Sequence, residues 1–362
     1  MKVGLGLYRH MLSRDYYDFA RQAGCTHLVI HLVDYFRQGA ANPSNNQPTG
    51  GKFGYWGLAG DPNDKIWTVE ELQKIRREIE EAGLVLEAIE NLDPAIWYDI
   101  LLDGPRRSEQ MERVKAIVRN MGEAGIPTLG YNFSIAGVCG RVSGPWGRGG
   151  AVTVGMDGPV DDTPIANGTV WNMVYDEHSA EHMPSISHEE LWRRFEDFLV
   201  EIVPVAEQAG VRMAAHPDDP PMPTMRQQPR LVHQPHMYQR LIDLVPSKCN
   251  ALELCVGTVA EMSEGSVYDA VDRYSRQGKI AYIHLRNVVG KVPYYRETFI
   301  DEGDVDMVRI LSILRTNGFQ GMVIPDHTPQ MTCSAPWHAG MAHTIGFIHG
   351  VLAMFSEQEA QK

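Results

Sequence analysis

The chain has 362 residues and a formal net charge of −13. Hydrophobic residues make up 43% of it and charged residues 22%, an ordinary globular mixture that can bury a large core. Because the negative charge comes without a cluster of Lys or Arg, nucleic acid and anionic membrane surfaces are not expected as partners. A small anionic substrate is still allowed, since a local arginine or metal ion can reverse the field inside a pocket.

The cysteines and the ends of the chain indicate a compartment. The N-terminus, MKVGLGLYRH, reads as a strand and lacks the charged start and apolar run of a signal peptide. No stretch approaches the ~18 consecutive apolar residues that a membrane helix needs. Five cysteines are an odd number for a chain without a secretion signal, so we expect no disulfide framework. A cytoplasmic protein is the resulting expectation.

Short apolar runs recur along the chain, and most of them follow a helix-like segment that closes with glycine. Glycine supplies the left-handed position after a helix, and a short apolar run behind it is typical of a strand buried on both faces. The closing glycines are Gly24, Gly83, Gly125, Gly210, Gly278 and Gly318. The eight runs are VGLGL, THLVIHL, LVLEAIE, IPTLGYNF, VRMAAH, NALELC, KIAYIHLR and FQGMVIPDH.

Helix starts lie between these runs. Thr68 with Glu71 and Ser187 with Glu190 match capping boxes, and Asp304 is a further candidate N-cap. Apolar residues at helical spacing follow the two boxes: Leu72, Ile75 and Ile79, then Phe195, Phe198 and Ile202. Alternating strands and helices predict a parallel sheet with right-handed crossovers, and eight strands favour a closed (β/α)8 TIM barrel over an open doubly wound sheet. No G-x-G-x-x-G follows the first run, which disfavours dinucleotide binding.

Two stretches interrupt the alternation. Residues 33–66 and about 134–187 are rich in Gly, Pro, Asn and Asp, and they follow the second and fourth strands. Long loops in a compact domain are usually functional and often cover the site. Because no linker or second core is visible, we expect residues 1–362 to form a single barrel domain with these two insertions.

Polar residues end six of the eight apolar runs. In a barrel of this type, the carboxyl ends of the strands and the loops behind them build the active site. These strand ends therefore supply candidates for binding metal, moving a proton or holding a substrate oxygen. They are Glu90 and Asn91, Tyr131 and Asn132, His216, Cys255, His284 with Arg286, and Asp326 with His327.

Four consecutive strands deliver possible metal ligands to one rim. His216, Cys255, His284 and Asp326 offer imidazole, thiolate and carboxylate groups, all of which bind divalent transition metals. Each has a structural alternative when taken alone: Cys255 as a small core residue, Asp326 as the cap of a turn. Their joint position on neighbouring strands favours a metal site.

Two further residues lie beside this set. Arg286 follows His284 by two residues, so both side chains point to the same face of the strand. Its planar fork suits a carboxylate or enolate, and the alternative is a structural ion pair. His327 is a candidate acid or base because its unperturbed pKa lies near neutrality, and the alternative is a residue that orients a ligand.

The amino-acid sequence around these residues resembles that of the mannonate dehydratase family from about residue 68 onward. The HPDDPP and H-x-R-N-V blocks are the most specific part of the match. The matching blocks are IEN around Glu90, AGIPTLGYNF (124–133), AAHPDDPP (214–221), LCVG around Cys255, IHLRNV (283–288), RETFIDEGDVDM (296–307) and PDH (325–327).

The resemblance implies a barrel similar to xylose isomerases that dehydrates D-mannonate to 2-keto-3-deoxy-D-gluconate, and a homo-oligomer. It makes metal ligands of the four residues His216, Cys255, His284 and Asp326. Arg286 becomes a substrate-binding residue, with Glu90 and Asn132 as further candidates, and His327 becomes a catalytic acid or base. Thiolate softness alone suggests Zn2+, whereas the resemblance implies Mn2+, with Zn2+, Fe2+ and Co2+ as alternatives.

One loop departs from the family pattern. After the PDH block the family resembles H-G-R-x-I-W and then P-G-Y-G with a catalytic tyrosine, whereas this chain reads HTPQMTCSAPWHAG. His338 falls where the tyrosine would be, so we expect it to share proton transfer with His327. The segment after the fourth strand, SIAGVCGRVSG, also differs. Both loops should touch substrate, so their changes bear on substrate choice more than on the metal.

Two rival functions follow from these departures. The same barrel and metal could serve a sugar isomerase, an epimerase or a lyase that acts on an oxidised sugar. Each of these needs a similar proton abstraction without the loss of water. A sugar-binding protein without catalysis is the third reading, which the complete ligand set disfavours.

Overall fold

A computed structural model describes residues 1–35, 37, 56–158, 162–176 and 181–360, with the side chains of 358–360 left aside. Its centre is a closed barrel of eight strands in the order β1-β8-β7-β6-β5-β4-β3-β2, and neighbouring strands run parallel. The strands are β1 Lys2–Leu7, β2 His27–His31, β3 Val85–Glu90, β4 Thr128–Tyr131, β5 Arg212–Ala215, β6 Asn250–Cys255, β7 Ile280–Leu285 and β8 Met322–Pro325. The (β/α)8 barrel prediction is confirmed, and each of the eight apolar runs forms one strand.

Helices surround the barrel. They are α1 Arg14–Gln22, α2 Val69–Glu81, α3 Pro94–Leu102, α4 Arg107–Glu123, α5 His188–Ala209, α6 Met237–Leu244, α7 Val256–Glu261, α8 Val267–Arg276, α9 Met307–Thr316 and α10 Pro336–Ala360. Short 3-10 turns lie at Arg9–Met11, Lys65–Trp67 and Arg148–Gly150.

Two of the three predicted helix N-caps are confirmed. The side chains of Thr68 and Ser187 accept from the backbone N–H groups three residues later, as the capping boxes predict. The prediction for Asp304 is wrong, because Asp306 caps α9 by accepting from the Arg309 N–H. Asp304 instead accepts from the Gly290 N–H and joins α9 to the preceding hairpin.

The core has an outer and an inner layer. One continuous cluster of buried side chains runs from Val3 on β1 to Phe355 on α10, and it contains both predicted helix stripes. The inner cluster fills the barrel with small side chains around Tyr282 and Met322. Its other members are Val29, Ala88, Ala214, Ala251, Ala281 and Ile324. A barrel of eight strands is just wide enough for such a filling, which leaves the C-terminal mouth as the place for a site.

The insertion at 134–187 is more regular than a loop. Its strands Val142–Gly144 and Thr153–Asp157 join the hairpin Asn287–Lys291 and Tyr294–Thr298 in a four-stranded antiparallel sheet. Three further short strands, Gly57–Leu58, Thr169–Val170 and Met173–Val174, form a second small sheet, and Thr224–Met225 pairs with Gln228–Pro229. Most of the other predicted insertion, 33–66, lies outside the described residues.

The last helix, α10, is unusually apolar. Within the described residues it alone has the length and composition that could cross a membrane, over Pro336–Glu357 with a mean hydropathy of 1.3. Core helices of soluble proteins meet the same criteria, and 39% of the most apolar stretch is buried inside this protein. Ile345 and Ile348 belong to the outer core, and α10 packs against β1 and β8.

Candidate metal centre and active site

A cavity opens at the carboxyl end of the barrel, where the strand-end rule predicts the site. Its lining combines residues from both halves of the barrel and from the loops above. They include Tyr8, His31, Glu90, Asn91 and Asn132 from the β1–β4 side, His216, Asp219, His284, Asp326 and His327 from the β5–β8 side, and Arg141, Trp171 and Trp337 from the loops and α10.

Three of the four predicted ligands, His216, His284 and Asp326, line this cavity, and Cys255 is buried beside them. Ligand atoms of His216, Cys255 and His284 all lie within 4.8 Å of one another. Asp326 completes the set, with Oδ1 3.6 Å from His284 Nδ1 and Oδ2 3.6 Å from Cys255 Sγ. Ligands that share one ion at 2.0–2.3 Å are roughly 3–4 Å apart, so this spacing fits a single divalent metal ion.

Cys255 has the surroundings of a thiolate. Its side chain is fully buried, and Sγ accepts from the Thr258 N–H at the start of α7, 3.4 Å away. Burial would raise the pKa of Cys255, but Arg286 and the neighbouring imidazoles lower it to about 6. A thiolate at neutral pH is the form that binds metal.

The two imidazoles are oriented by their second nitrogens. His216 Nδ1 lies 2.6 Å from the Pro217 carbonyl oxygen, so an N–H there directs Nε2 toward the cluster. His284 Nε2 lies 3.2 Å from Glu90 Oε2 and 3.1 Å from Glu253 Oε1, which leaves Nδ1 for the metal. Carboxylates or carbonyls behind the imidazole are the usual supports of metal-binding histidines.

Glu253 is a buried acid that the sequence analysis did not assign. It precedes Cys255 by two residues on β6, so both side chains face the barrel interior. Burial and the nearby Glu90 raise the pKa of Glu253 to about 8. Glu90, Glu253 and His284 are themselves close enough to hold a metal. We assign the carboxylates to orienting His284, because that imidazole already contributes Nδ1 to the four-residue set.

The set is strongly anionic for a buried site. Burial would lower the pKa of His216, but Glu253 and Cys255 raise it to about 9. Burial would raise the pKa of Asp326, but His327, His284 and Arg286 hold it well below its usual range. Surroundings that attract protons to imidazoles also attract a cation, which competes with those protons for the same lone pairs.

Arg286 lies beneath the cavity wall rather than in the lining. Its side chain is 0% exposed. The guanidinium contacts Glu297 Oε1 at 2.5 Å, Asp219 Oδ2 at 3.1 Å, Glu261 Oε1 at 3.2 Å and Asp326 Oδ2 at 3.2 Å. In the structure Arg286 therefore forms buried ion pairs, the second of the two roles considered for it. These carboxylates contact the guanidinium N–H groups that a substrate carboxylate would need.

His327 lies at the rim, between two carboxylates. Its Nδ1 is 3.2 Å from Glu297 Oε1, and its Nε2 is 3.2 Å from Asp326 Oδ1. With Nδ1–H donating to Glu297, Nε2 becomes the nitrogen beside the predicted ligands. Because His327 also lines the cavity, it is placed to exchange a proton with a bound molecule.

His338 lies elsewhere. Its ring packs against Phe19 and Tyr16 of α1, with centroids 4.6 and 5.5 Å away. The neighbours at helical spacing, Trp337 and Met341, line the cavity instead. The geometry does not bring His338 to the site, because the helical phase of α10 turns its ring toward α1.

The other two predicted substrate-binding residues do reach the cavity. Glu90 lines it and also accepts from the Tyr282 hydroxyl at 3.2 Å. Asn132 lines it as well, donating to the Pro217 carbonyl at 3.1 Å and accepting from Trp171 Nε1 at 3.2 Å. Both side chains therefore have structural contacts in addition to their cavity faces.

The sequence analysis missed five polar residues of the cavity: Tyr8, His31, Tyr35, Arg141 and Asp219. Tyr8 and His31 follow the first two strands, and the strand-end rule applied to all eight strands would have included them. Asp219 belongs to the HPDDPP block but received no role. Arg141 stands ten residues beyond β4 within an insertion, where no spacing rule indicates that it returns to the barrel mouth.

Comparisons with known proteins agree with this architecture. The family model described as D-mannonate dehydratase (UxuA) matches residues 22–143 and 168–361. A mannonate dehydratase of Streptococcus pneumoniae is 30% identical over 282 residues, which cover 74% of this chain and 75% of that protein. Each block of the resemblance lies in a matched region, and so does the divergent loop that follows the PDH block.

Solved structures show the same fold. The crystal structure of mannonate dehydratase from Streptococcus suis serotype 2 superposes with a TM-score of 0.69 at 24% identity, covering 97% of this chain and 93% of that chain. An L-ribulose 3-epimerase structure reaches a TM-score of 0.55 at 15% identity, covering 99% and 96%. At these identities both matches show the barrel fold alone. The extent of the family-model match shows that the chain belongs to the D-mannonate dehydratase family, whose members are hydro-lyases.

Proposed function

We propose that this chain converts D-mannonate to 2-keto-3-deoxy-D-gluconate and water, using one Mn2+ ion held by His216, Cys255, His284 and Asp326. The convergence of these four donors beside His327 is the observation that carries the proposal; His216, His284 and Asp326 line the cavity, and Cys255 is buried beside them. Family membership supports the reaction and the choice of Mn2+ over the Zn2+ that a thiolate alone would favour.

The loss of water requires two proton transfers, and a third step converts the enol to the ketone. A base removes the proton from C2, next to the carboxylate, and the C3–O bond breaks as its oxygen gains a proton and leaves as water. The resulting enol takes up a proton at C3 and loses the proton of its C2 hydroxyl, which yields the 2-keto acid. A bound divalent cation would supply positive charge beside the substrate oxygens that become more negative.

We assign the C2 proton to His327. Glu297 accepts from Nδ1 at 3.2 Å and fixes the ring, so that Nε2 is the nitrogen that exchanges the proton. Glu297 is held in turn by Arg286, which keeps its charge in place. Arg286 is therefore a positioning residue in this proposal, since it acts through Glu297 and Asp326 and does not reach the cavity.

We assign the second proton to Tyr8 rather than to His338. Tyr8 follows β1, which neighbours β8 in the barrel, and its side chain lines the cavity. Its ring packs against His31 and Tyr35, with centroids 5.0 and 5.7 Å away. Burial first, and then Asp326 and Glu90, hold the pKa of Tyr8 well above its usual value. The phenol therefore stays protonated and can donate to the departing oxygen.

A product assay tests the function. The full chain is stripped of metal, reloaded with Mn2+ and incubated in D2O with D-mannonate and its C2 and C3 epimers. We expect a 2-keto-3-deoxy product from D-mannonate. Deuterium at C2 of recovered or epimerised sugar without loss of water would instead indicate an isomerase or epimerase. Saturable binding without exchange or product would reduce the chain to a sugar-binding protein.

Two expectations from the sequence stay predictions: the cytoplasmic location and the homo-oligomer. Light scattering on the purified, Mn2+-loaded chain measures its mass directly. A mass of one chain across the concentration range would contradict the oligomer. Fractionation of cells that produce the chain would test the location.

A further inference from the structure

We propose that Arg141 binds the carboxylate of the substrate and thereby makes the site selective for sugar acids over neutral sugars. This inference rests on the proposed function for the identity of the substrate. It does not follow from the four metal donors, because a metal ion that they held could also bind the hydroxyl oxygens of a neutral sugar. It comes from the distribution of positive charge around the cavity.

The first step is a comparison of the cavity's charged groups. Within the part of the chain that the structure describes, Arg141 is the only Lys or Arg among the residues that line the cavity. Glu90, Asp219 and Asp326 line the same cavity with carboxylates. Apart from the proposed metal ion, a sugar acid that enters would meet mainly negative side chains, and Arg141 is the cationic side chain that can attract its carboxylate.

The second step concerns how Arg141 is held. Its side chain is 4% exposed, and Nη1 lies 3.9 Å from Glu297 Oε1. Burial would lower the pKa of Arg141, but Asp219, Tyr295 and Glu297 raise it overall. The guanidinium is therefore a permanent cation, placed where the insertion begins its antiparallel sheet with the strand Thr153–Asp157.

The third step excludes the other arginine of the site. Arg286 contacts Glu297, Asp219, Glu261 and Asp326 at 2.5–3.2 Å. Glu297 lies nearer to Arg286, at 2.5 Å, than to Arg141, at 3.9 Å. Arg286 does not line the cavity, whereas Arg141 does. Arg141 is the better receptor for an external anion.

The chemistry of recognition follows. A guanidinium matches the two oxygens of a carboxylate with parallel N–H donors, which adds orientation to attraction. A neutral sugar offers no negative charge to this buried guanidinium. The site should therefore bind a sugar acid much more tightly than a neutral sugar that leaves the guanidinium without a ligand partner. The carboxylate end would be fixed toward the β4 insertion, with C2 and C3 between His327 and Tyr8.

Binding measurements on the Mn2+-loaded full chain test the inference. The probes are D-mannonate and D-mannonamide, which replaces the carboxylate with a neutral amide of nearly equal size. The variants are R141Q, R141K and, as a matched control from the same insertion, R148Q. Arg148 is 53% exposed and pairs with Asp301 outside the cavity. Calorimetry gives the affinities, and metal content and thermal melting are recorded for each variant.

We expect the unaltered chain and R148Q to prefer mannonate over mannonamide by about 100-fold, since a hydrogen-bonded charge is lost with the amide. R141Q should lose about 100-fold in mannonate affinity and about threefold or less for mannonamide, so that the preference disappears. R141K should keep part of the preference, because it retains the charge but not the fork.

An equal loss for both probes, or an unchanged preference in R141Q, would overturn the inference. If R141Q does not fold, a preference in R141K as large as in the unaltered chain would overturn the role of the fork. The proposed function fails separately: a chain that shows the Arg141-dependent preference yet forms no 2-keto-3-deoxy product is a sugar-acid protein without dehydratase activity.

Discussion

Charge balance determines what each polar residue of the cavity can do. The sequence places His284 and Arg286 on the same face of β7, and the structure agrees. What Arg286 faces depends on Asp219, Glu261 and Glu297, which arrive from different elements. Strand alternation fixes the direction of a side chain but not its partners. For that reason the convergence of the four proposed metal ligands could be predicted from strand ends, whereas the sequence left two roles open for Arg286.

His327→Asn should lower kcat by ~10²–10⁴ while one metal ion per chain is retained. The reason is that His327 is assigned the C2 proton, whereas the four metal donors remain intact. Steady-state kinetics together with elemental analysis measures both quantities. Turnover close to that of the unaltered chain would reject the assignment, and a parallel loss of metal would make His327 a supporting residue instead.

Tyr8→Phe should lower the rate with D-mannonate by ~10²–10⁴, because the departing oxygen loses its proton donor. Fluoride leaves without needing that proton, so 3-deoxy-3-fluoro-D-mannonate should lose fluoride at nearly equal rates in the variant and the unaltered chain. Fluoride release is followed with an ion electrode. Equal rate losses for both substrates would mean that Tyr8 only shapes the cavity.

Arg286→Met should destabilise the protein by ~3–5 kcal/mol, because several buried carboxylates lose their counter-charge. Urea unfolding of the metal-free chain measures the free energy. Arg276→Met is the matched control: Arg276 is 63% exposed in its pair with Asp272, and loss of such a pair changes the free energy by ~1 kcal/mol or less. Equal unfolding midpoints for the two variants would contradict this description of Arg286.

At the scale of elements, local sequence patterns predicted the strands of the barrel but not the strands of the insertion at 134–187. Each barrel strand is marked by its own apolar run, and α2 and α5 by their own capping boxes. The strand Thr153–Asp157 pairs with Tyr294–Thr298, far along the chain, and no local signal encodes that pairing. The position of His338 in space could not be predicted for a related reason. Comparison with the family's loop gives its position in the chain, but not the direction in which its side chain leaves α10.

The sheet that presents Glu297 can be tested at Gly155. This residue lies opposite Arg296, next to Glu297, and an added Cβ would collide with the Tyr295 carbonyl oxygen. Gly155→Ala should therefore displace Glu297 and lower both kcat and the melting temperature. Gly346 lies at an exposed position of α10, where an added Cβ meets no atom within 4 Å. Gly346→Ala should therefore stabilise the helix by ~1 kcal/mol. Calorimetry and kinetics on both variants check this, and a fully active Gly155→Ala enzyme would contradict it.

At the scale of the whole molecule, the barrel joins two kinds of group at one mouth. Strands β5–β8 bring the proposed metal donors, while β1–β4 and their loops bring Tyr8, Glu90, Asn132 and Arg141. The outer core runs without interruption from β1 to α10, so we infer that residues 1–362 unfold as one domain. A metal held by four strands should stabilise that unit, because only the folded chain assembles the donors.

Metal content after chelation and reloading with Mn2+ tests the central claim most directly. Elemental analysis of the dialysed protein should give one Mn2+ per chain for the unaltered sequence. His216→Ala and Cys255→Ala should leave well under one, whereas His338→Ala should still give one, because His338 packs against α1. One tightly held ion in the unaltered chain, lost with either ligand, is the predicted result. A chain that takes up no cation, or that keeps it in both ligand variants, would contradict the metal centre.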